Sequence, residues 1–490
     1  MRVLSLWVCV LLGVVLIALP HDASAAIHYV PCEHPTIQDA INAAIDGDTV
    51  QVASGRYTGE HNKNLDFEGK NLLVRSEFGP QYTIIDCEGS GRGFHFHNGE
   101  THSSVISGFR ITGGDGMEDG GGILCEGASP TISGCYVTGN EAEVCGGGIA
   151  CRDGSAPKIT DCHINGNRAK TSGGGGIFCD DSSPTVTRCT ISENTGSGGA
   201  GFLSRGPATS PIVSYCTFFS NVATACGGGI YCDHFSSGSF QHNIISDNSA
   251  AEYGGGIMVE NGGTTPVIAN NTIVWNQAPP AGGWEGGGGI CCHSGCAPDI
   301  RNNIIAYNRE GGAMHCANAA YPTVSFCNLF DNVGGDELCG IDGGGNFYSN
   351  PLFCDPNEDF LLAENSPCLL DDPCELVGAL GMGCPADPAA VPMNDPAAAP
   401  DLSLKVSPNP GRAEAVVMFS LEDAAEVTVG IFDVLGREIR MLHEGTLGSG
   451  QHILSWDGCD NRGQLVPHGI YLARMQTPGS ERMSRIARIR

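Results

Sequence analysis

What this sequence has least of is positive charge. Its 490 residues carry 25 Lys and Arg against 54 Asp and Glu, a formal net charge of −29. The deficit is uneven: residues 26–400 hold 14 basic and 42 acidic side chains, while residues 401–490 hold 10 and 11. A surface of that sign repels phosphate, which excludes nucleic acid and anionic lipid as partners and stays compatible with divalent cations. Long apolar runs are missing after the start, so no later segment is long and apolar enough to cross a bilayer, and the mature chain has no expected transmembrane segment. The 71 Gly and 27 Pro make a fifth of the chain but lack a collagen triplet, and 41% hydrophobic residues is too many for disorder. No EF-hand loop or G-G-x-G-x-D nonapeptide occurs, so no cofactor is expected, and Ca²⁺ is left open without an identified loop. Turn-rich β structure is what remains.

The start reads MRVLSLWVCVLLGVVLIALPHDASAA. One Arg, an apolar run from Val3 to Leu19, the closing Pro20, His21 and Asp22, and then Ala23-Ser24-Ala25 are the parts of a secretory leader. Residues 1–25 are expected to be removed by cleavage after Ala25, leaving an exported, soluble protein.

The rest of the chain repeats itself. GGGILC, GGGIAC, GGGGIFCDD, GGGIYC, GGGIMV and GGGICC recur between residues 120 and 292. Behind them run a column Ile123, Ile149, Ile177, Phe202, Ile230, Ile257, Ile290, Met314 and a column Cys135, Cys162, Cys189, Cys216, Asn243, Asn271, Asn303, Cys327. A third runs Asn140, Asn167, Asn194, Asn221, Asn248, Asn276, Asn308, Asn332. The steps are 27, 27, 27, 27, 28, 32 and 24. Within a copy the period is two: Ile177 and Cys179 share a face, as do Cys189 and Ile191, while Phe178 points the other way. Val186 is out of step with Cys189, so the chain bends between them. Strands this short bury an apolar face only by stacking copy on copy, about 4.8 Å apart. Residues 50–350 then hold about eleven turns over about 55 Å. Glycine suits the corners, and stacked Asn side chains can bond along the axis.

Repeats of this form resemble the right-handed parallel β-helix, or pectin-lyase-like, proteins, and are similar to the polymorphic outer-membrane-protein type. PTIQDAINAAIDGDTVQVASGRYTGE resembles their capping entry. Thr36 with Asp39 forms a capping-box pair, Ile37, Ala40, Ile41, Ala44 and Ile45 one stripe, and Gly47 an end. NPLFCDPNEDFLLAENSPC, residues 350–368, resembles their closing coil. The likeness covers about residues 27–384 of an expected β-helix domain spanning residues 26–384, and implies fold more than activity.

Residues 385–401, PADPAAVPMNDPAAAPD, are Pro/Ala-rich and read as a spacer. Beyond it AEAVVMFSL, AEVTVGIFDV, QHILSWDG and GIYLARMQ alternate apolar and polar, as a small β-sandwich does. Residues 402–490 resemble the FlgD-like Ig domain and the C-terminal sorting domains of type IX secretion substrates. The resemblance implies a handle for secretion or sorting machinery, with Arg482, Arg485, Arg488 and Arg490 on a basic final strand. The fold class is therefore all-β: a right-handed parallel β-helix solenoid followed by an Ig-like sandwich.

Cys9 leaves with the leader, and 23 of the 24 cysteines remain. Cys125, Cys151, Cys179, Cys232, Cys292 and Cys316 share one inward column, where Cys packs as a small apolar residue. Parallel Cβ vectors make poor bridge geometry, so mostly free, buried thiols are expected, with bridges among Cys354, Cys368, Cys374 and Cys384. CCHSGC offers Cys291, His293 and Cys296 as soft ligands, one short of a zinc set if Cys292 turns inward.

The residues after each Ile-x-Cys stack into a ridge of mixed sign. Asp153, Asp180, Asp181 and Arg205 are the catalytic candidates; Glu126, Arg152, Asp233, His234, Glu260 and His293 complete a ligand-binding ridge. Paired carboxylates can hydrolyse a glycosidic bond or hold Ca²⁺ for a lyase with an Arg base. Asp is equally an ordinary corner residue that bonds backbone and faces water. Polygalacturonase-type helices carry NTD, DD, GHG and RIK segments, of which only Asp180-Asp181 is present. Pectate-lyase types carry R-x-P-x-x-R, which Arg205-Gly206-Pro207 begins and Ser210 breaks. Those departures favour an adhesin-like stalk at the bacterial cell surface, binding polysaccharide or a cell-envelope component. The alternative is a polysaccharide lyase or glycoside hydrolase.

Overall fold

The computed structural model describes residues 25–385, except 117, 280–285, 356–358 and 370–375. It also describes residues 405–488, except 408–414, 422–423, 434–436, 449, 468 and 478–479. The expected leader up to Ser24, nearly all of the expected spacer, Cys374 and Arg490 lie outside them. So do the side chains of Arg482, Arg485 and Arg488. The chain divides into two compact units, residues 1–387 and 388–490.

The first unit is a parallel β-solenoid with sheets of 13, 11, 9 and 6 strands among the described residues. One coil shows how the residues build it. Ile177–Asp180 lies in the nine-stranded sheet, Thr185–Thr187 in the thirteen-stranded, Thr190–Ser192 in the eleven-stranded and Thr195–Gly198 in the six-stranded. Arg188 and Glu193 take left-handed φ of 52° and 56°, so Val186, Cys189 and Ile191 all reach the interior despite their broken alternation. The register places like over like, Ile123 to Ile149 to Ile177 to Phe202 to Ile230 to Ile257 to Ile290 to Met314. Cys162 and Cys189 are on adjacent coils, the Cys162 carbonyl accepting from Thr190 N at 2.9 Å. One apolar column runs unbroken from Val30 to Leu329. Each fully buried Ile or Val in it contributes about 1.5–3 kcal/mol, which no single three-residue strand could gather alone.

The Asn column is wholly interior. Asn140, Asn167, Asn194, Asn221, Asn248, Asn276 and Asn308 are all 0% exposed. Each side chain bridges coils: Asn194 Nδ2 donates to Ile164 O at 2.9 Å and Asn221 Oδ1 at 3.0 Å, and its own Oδ1 accepts from Asn167 N and Nδ2, both at 3.0 Å. A shorter ladder continues the second cysteine column, Asn243 to Asn271 to Asn303.

Both ends depart from expectation. At the entry, Thr36 Oγ1 caps Asp39 N at 3.2 Å as the sequence implies. The helix covers only Ile37–Ala43, however, and Ile45 is 61% exposed. Ala44 is already extended, and Asp48 Oδ2 accepts from Ile45 N at 3.0 Å, which turns the chain into the second strand before the stripe can finish. At the far end, Phe353–Asp355, Asp359–Ala363 and Met382–Cys384 form a small sheet of their own. Phe353, Phe360, Leu362 and Val377 bury Val274, Ile304 and Ala306, so this segment covers the flank of the eleven-stranded sheet. Cys354 bonds Cys384 as a disulfide, within the expected set. Cys316 departs from the free-thiol reading: it lies on the terminal strand of its sheet and forms a disulfide with Cys339. The remaining column cysteines are free, and all are buried.

The second unit pairs a three-stranded with a four-stranded antiparallel sheet. Val417, Phe419, Val429, Ile431, Trp456, Tyr471 and Met475 form its core. Trp456 Nε1 donates to Cys459 O at 2.9 Å and Tyr471 OH to Pro467 O at 2.8 Å, satisfying the polar ends of two large buried rings.

Candidate functional site

Glu126, Arg152, Asp180, Arg205, Asp233, Glu260 and His293 end successive strands of the nine-stranded sheet. The parallel register sets them in one column, Glu126 beside Arg152, Asp180 beside Arg205 beside Asp233, Glu260 beside His293. Charge alternates over its first five members, and neighbouring coils neutralise each other. Arg205 meets Asp180 at 3.2 Å, and His293 Nδ1 meets Glu260 Oε1 at 3.3 Å. Glu126 pairs with His95 at 2.8 Å, and Arg152 with Asp119 at 2.6 Å. Asp233 is held by the His234 ring and amide and by Asn261 Nδ2.

The next residue along the chain turns the corner. Asp153, Asp181 and His234 have φ of 56°, 45° and 47°, a region Asp tolerates by bonding nearby backbone. Asp181 Oδ1 accepts from Ala208 N of the following coil at 3.1 Å. The two aspartates of IFCDD therefore part company: Asp180 pairs with Arg205, and Asp181 fastens one corner to the next.

Phe178 lies behind this column, fully buried although it points outward from the sheet. The glycine run covers it. Gly174, at φ +65°, passes so close that a Cβ there would sit 2.8 Å from Phe178 Cβ. Arg152 and Arg205 stack on the Phe178 ring from the two neighbouring coils, at 5.4 and 5.3 Å to its centroid. Burial pushes the Asp119 carboxyl up against the opposing pull of Arg152. Burial also pushes His95 down against Glu126.

Further along, Tyr231 OH donates to Glu260 Oε2 at 2.5 Å, and burial with that bond pushes the phenol up. His293 Nδ1 lies 2.6 Å from Ser294 Oγ, and its Nε2 lies 2.7 Å from Asn318 Nδ2. The soft-ligand set of CCHSGC does not converge. Cys291 faces the opposite side of its strand from Cys292, and Cys296 is buried against Val259 O at 3.3 Å. Among the described residues no group of three or more His, Cys, Asp or Glu is placed to hold a metal ion. No helix among them is long and apolar enough to cross a membrane.

Against known families, residues 72–234, 170–285 and 228–353 match the right handed beta helix region. The chain belongs to the right-handed β-helix family. Residues 403–480 of this β-helix protein match the FlgD Ig-like domain. Among solved structures, pectate lyase Pel9A is similar over 74% of this chain and 97% of its own, at 13% identity and a TM-score of 0.44. Dimeric latent PorU from Porphyromonas gingivalis is similar over 18% of this chain at 21% identity and a TM-score of 0.15, and the match spans 9% of PorU's length. No curated protein matches the chain in sequence.

Sequence reasoning on this β-helix protein missed Asp119, Phe178, Tyr231 and His95. The usable signal was the middle position of each Ile-x-Cys strand, which reads Leu124, Ala150, Phe178, Leu203, Tyr231, Met258, Cys291. So apolar an outward column requires a cover.

Proposed function

We propose that this is an exported, surface-associated β-helix that binds polysaccharide or a cell-envelope component along its charged ridge without turning it over. The C-terminal Ig-like domain serves sorting or attachment in this reading. What supports it is the pairing of the ridge: Glu126, Asp180, Asp181, Asp233 and Glu260 are each engaged by a cation, a His or an amide of their own chain, while Asp153 stands exposed at its corner. A general acid and base need groups free to exchange protons with substrate; a recognition strip needs fixed donors and acceptors. The negative field over residues 26–400 disfavours nucleic acid and favours ligands that are neutral or carry their own cations.

A glycan-array screen of the full chain tests the reading. Binding that drops at least about tenfold in Arg152→Ala and Arg205→Ala supports it, and no retention on any glycan or envelope fraction sinks it. Deleting residues 402–490 should release the protein from the cell surface; unchanged retention would remove the attachment role.

A second reading, a polysaccharide lyase or glycoside hydrolase, is favoured by the contiguous Tyr231, Glu260, His293 and Ser294. Its assay is turnover of acidic and neutral polysaccharides with and without Ca²⁺. Turnover lost in Asp180→Ala, Asp181→Ala or Glu260→Gln would establish the enzyme, and no turnover on any substrate would retire it.

A further inference from the structure

We infer that Asp48 is the receptor for the α-ammonium group of a mature chain that begins at Ala26, so that leader removal itself fastens the first coil. This rests on the export reading. Ala26 N lies 2.7 Å from Asp48 Oδ1, and Ala26 O accepts from Thr49 N at 2.8 Å. Ile27, the next residue, pairs with Thr49 and opens the thirteen-stranded sheet. The expected first residue of the mature chain therefore lies immediately before the first strand of the solenoid.

Asp48 is 5% exposed, and a buried carboxylate calls for a compensating cation. Among the described residues the one ion-pair partner it has is His28, whose Nε2 lies 3.1 Å from Oδ2. The second ring nitrogen of His28 is 3.2 Å from His34 Nε2, so the two rings are hydrogen-bonded to each other. Oδ2 also accepts from Ile45 N at 3.0 Å. The Ile45 amide holds the Asp48 carboxyl below its usual range against burial, with Ala26 N–H and His28 adding to it. All of these are amide dipoles or an imidazole ring; among the described residues no Lys or Arg pairs with Asp48.

In the uncleaved chain Ala26 supplies one neutral amide hydrogen. Hydrolysis of the Ala25–Ala26 peptide bond by a leader peptidase leaves a carboxylate on Ala25 and a primary amine on Ala26. That amine, ordinarily titrating at about 7.7–8.0, takes up a proton and places a full positive charge where the amide stood. The charge-assisted bond that results is about twice as strong as the neutral one. Cleavage one residue to either side would move the charge about 3.5 Å along the chain and off the carboxylate.

The test compares full chains beginning at Ala26, with Asp48 and with Asp48→Asn. An amine-acylating reagent at pH 7.5 should label the Ala26 α-amine about sevenfold more slowly in the Asp48 protein, the consequence of an ammonium that Asp48 holds about tenfold more tightly against deprotonation. Equal labelling rates overturn the inference. Should Asp48→Asn fail to fold, the Nα-acetylated chain replaces it, and its solenoid must melt below the free-amine form; equal melting overturns the inference. Mass spectrometry of the secreted protein separates the two levels. A terminus at Ala26 supports the receptor, another cleaved terminus overturns it while leaving export intact, and an uncleaved chain overturns both.

Discussion

Replacing Asn194 with Ala probes the interior ladder directly. Asn194 Oδ1 is the acceptor for both the backbone N–H and one side-chain hydrogen of Asn167, each at 3.0 Å and each fully buried. Truncation leaves those two donors without partners and takes a donor from Ile164 O. At about 1–3 kcal/mol for each orphaned donor, the solenoid should lose about 2–6 kcal/mol. Asn194→Asp sharpens the test because it keeps the shape and the Oδ1 acceptor. Its second oxygen would face Asn221 Oδ1 and Ile164 O, two acceptors, so the folded state favours the protonated acid and raises its pKa. Stability then matches the wild type most closely below the unfolded Asp value of about 3.9. It falls as pH rises through that value and levels off above the folded one. Denaturant titrations at pH 3.5 and 7 measure both variants, and hydrogen exchange of the Asn167 amide locates the damage. A loss for Asn194→Ala no larger than that of Thr190→Ala, on the partly exposed face of the same coil, would falsify the account of the ladder.

Three further outcomes are expected. Gly176→Ala places a Cβ 2.6 Å from Gly201 O and 3.0 Å from Asn194 Nδ2, and should cost about 1–3 kcal/mol in the same titration, whereas a neutral result would mean the glycine run is not held by packing. Burial pushes the Cys87, Cys226 and Cys368 thiols up to about 12. Their contribution is full below the unfolded thiol value of about 8.5 and is lost as pH climbs toward 12, so the melting temperature should fall steadily above pH 9, and a flat profile would contradict burial of the thiols. Cys316→Ser opens the disulfide to Cys339, 23 residues away, and should lower stability by about 3 kcal/mol by the chain-entropy estimate; equal melting of mutant and wild type under non-reducing conditions refutes it.

The columns were legible in the amino acids because a solenoid converts a period in the chain into a direction in space. Ile177, Cys179, Cys189 and Asn194 each announce their neighbours 24–32 residues away, and parallel stacking leaves no other register that buries them. The same logic places Glu126, Arg152, Asp180, Arg205 and Asp233 in line from the sequence alone. The free thiols of the columns followed from the same geometry, up to the last coil.

What the chain could not announce is what happens across the period. The pairing of Arg152 with Asp119, the burial of Phe178 under Gly174, and the parting of Asp180 from Asp181 depend on how far a loop folds over the sheet face beside it. Ends escape for a related reason: Cys316 and the segment around Phe353 have no further coil to match, so their partners come from whatever chain is nearby. Repetition determines the stack because each rung is stabilised by its copy; the tertiary structure decides the ridge and the ends because there the neighbour is not a copy.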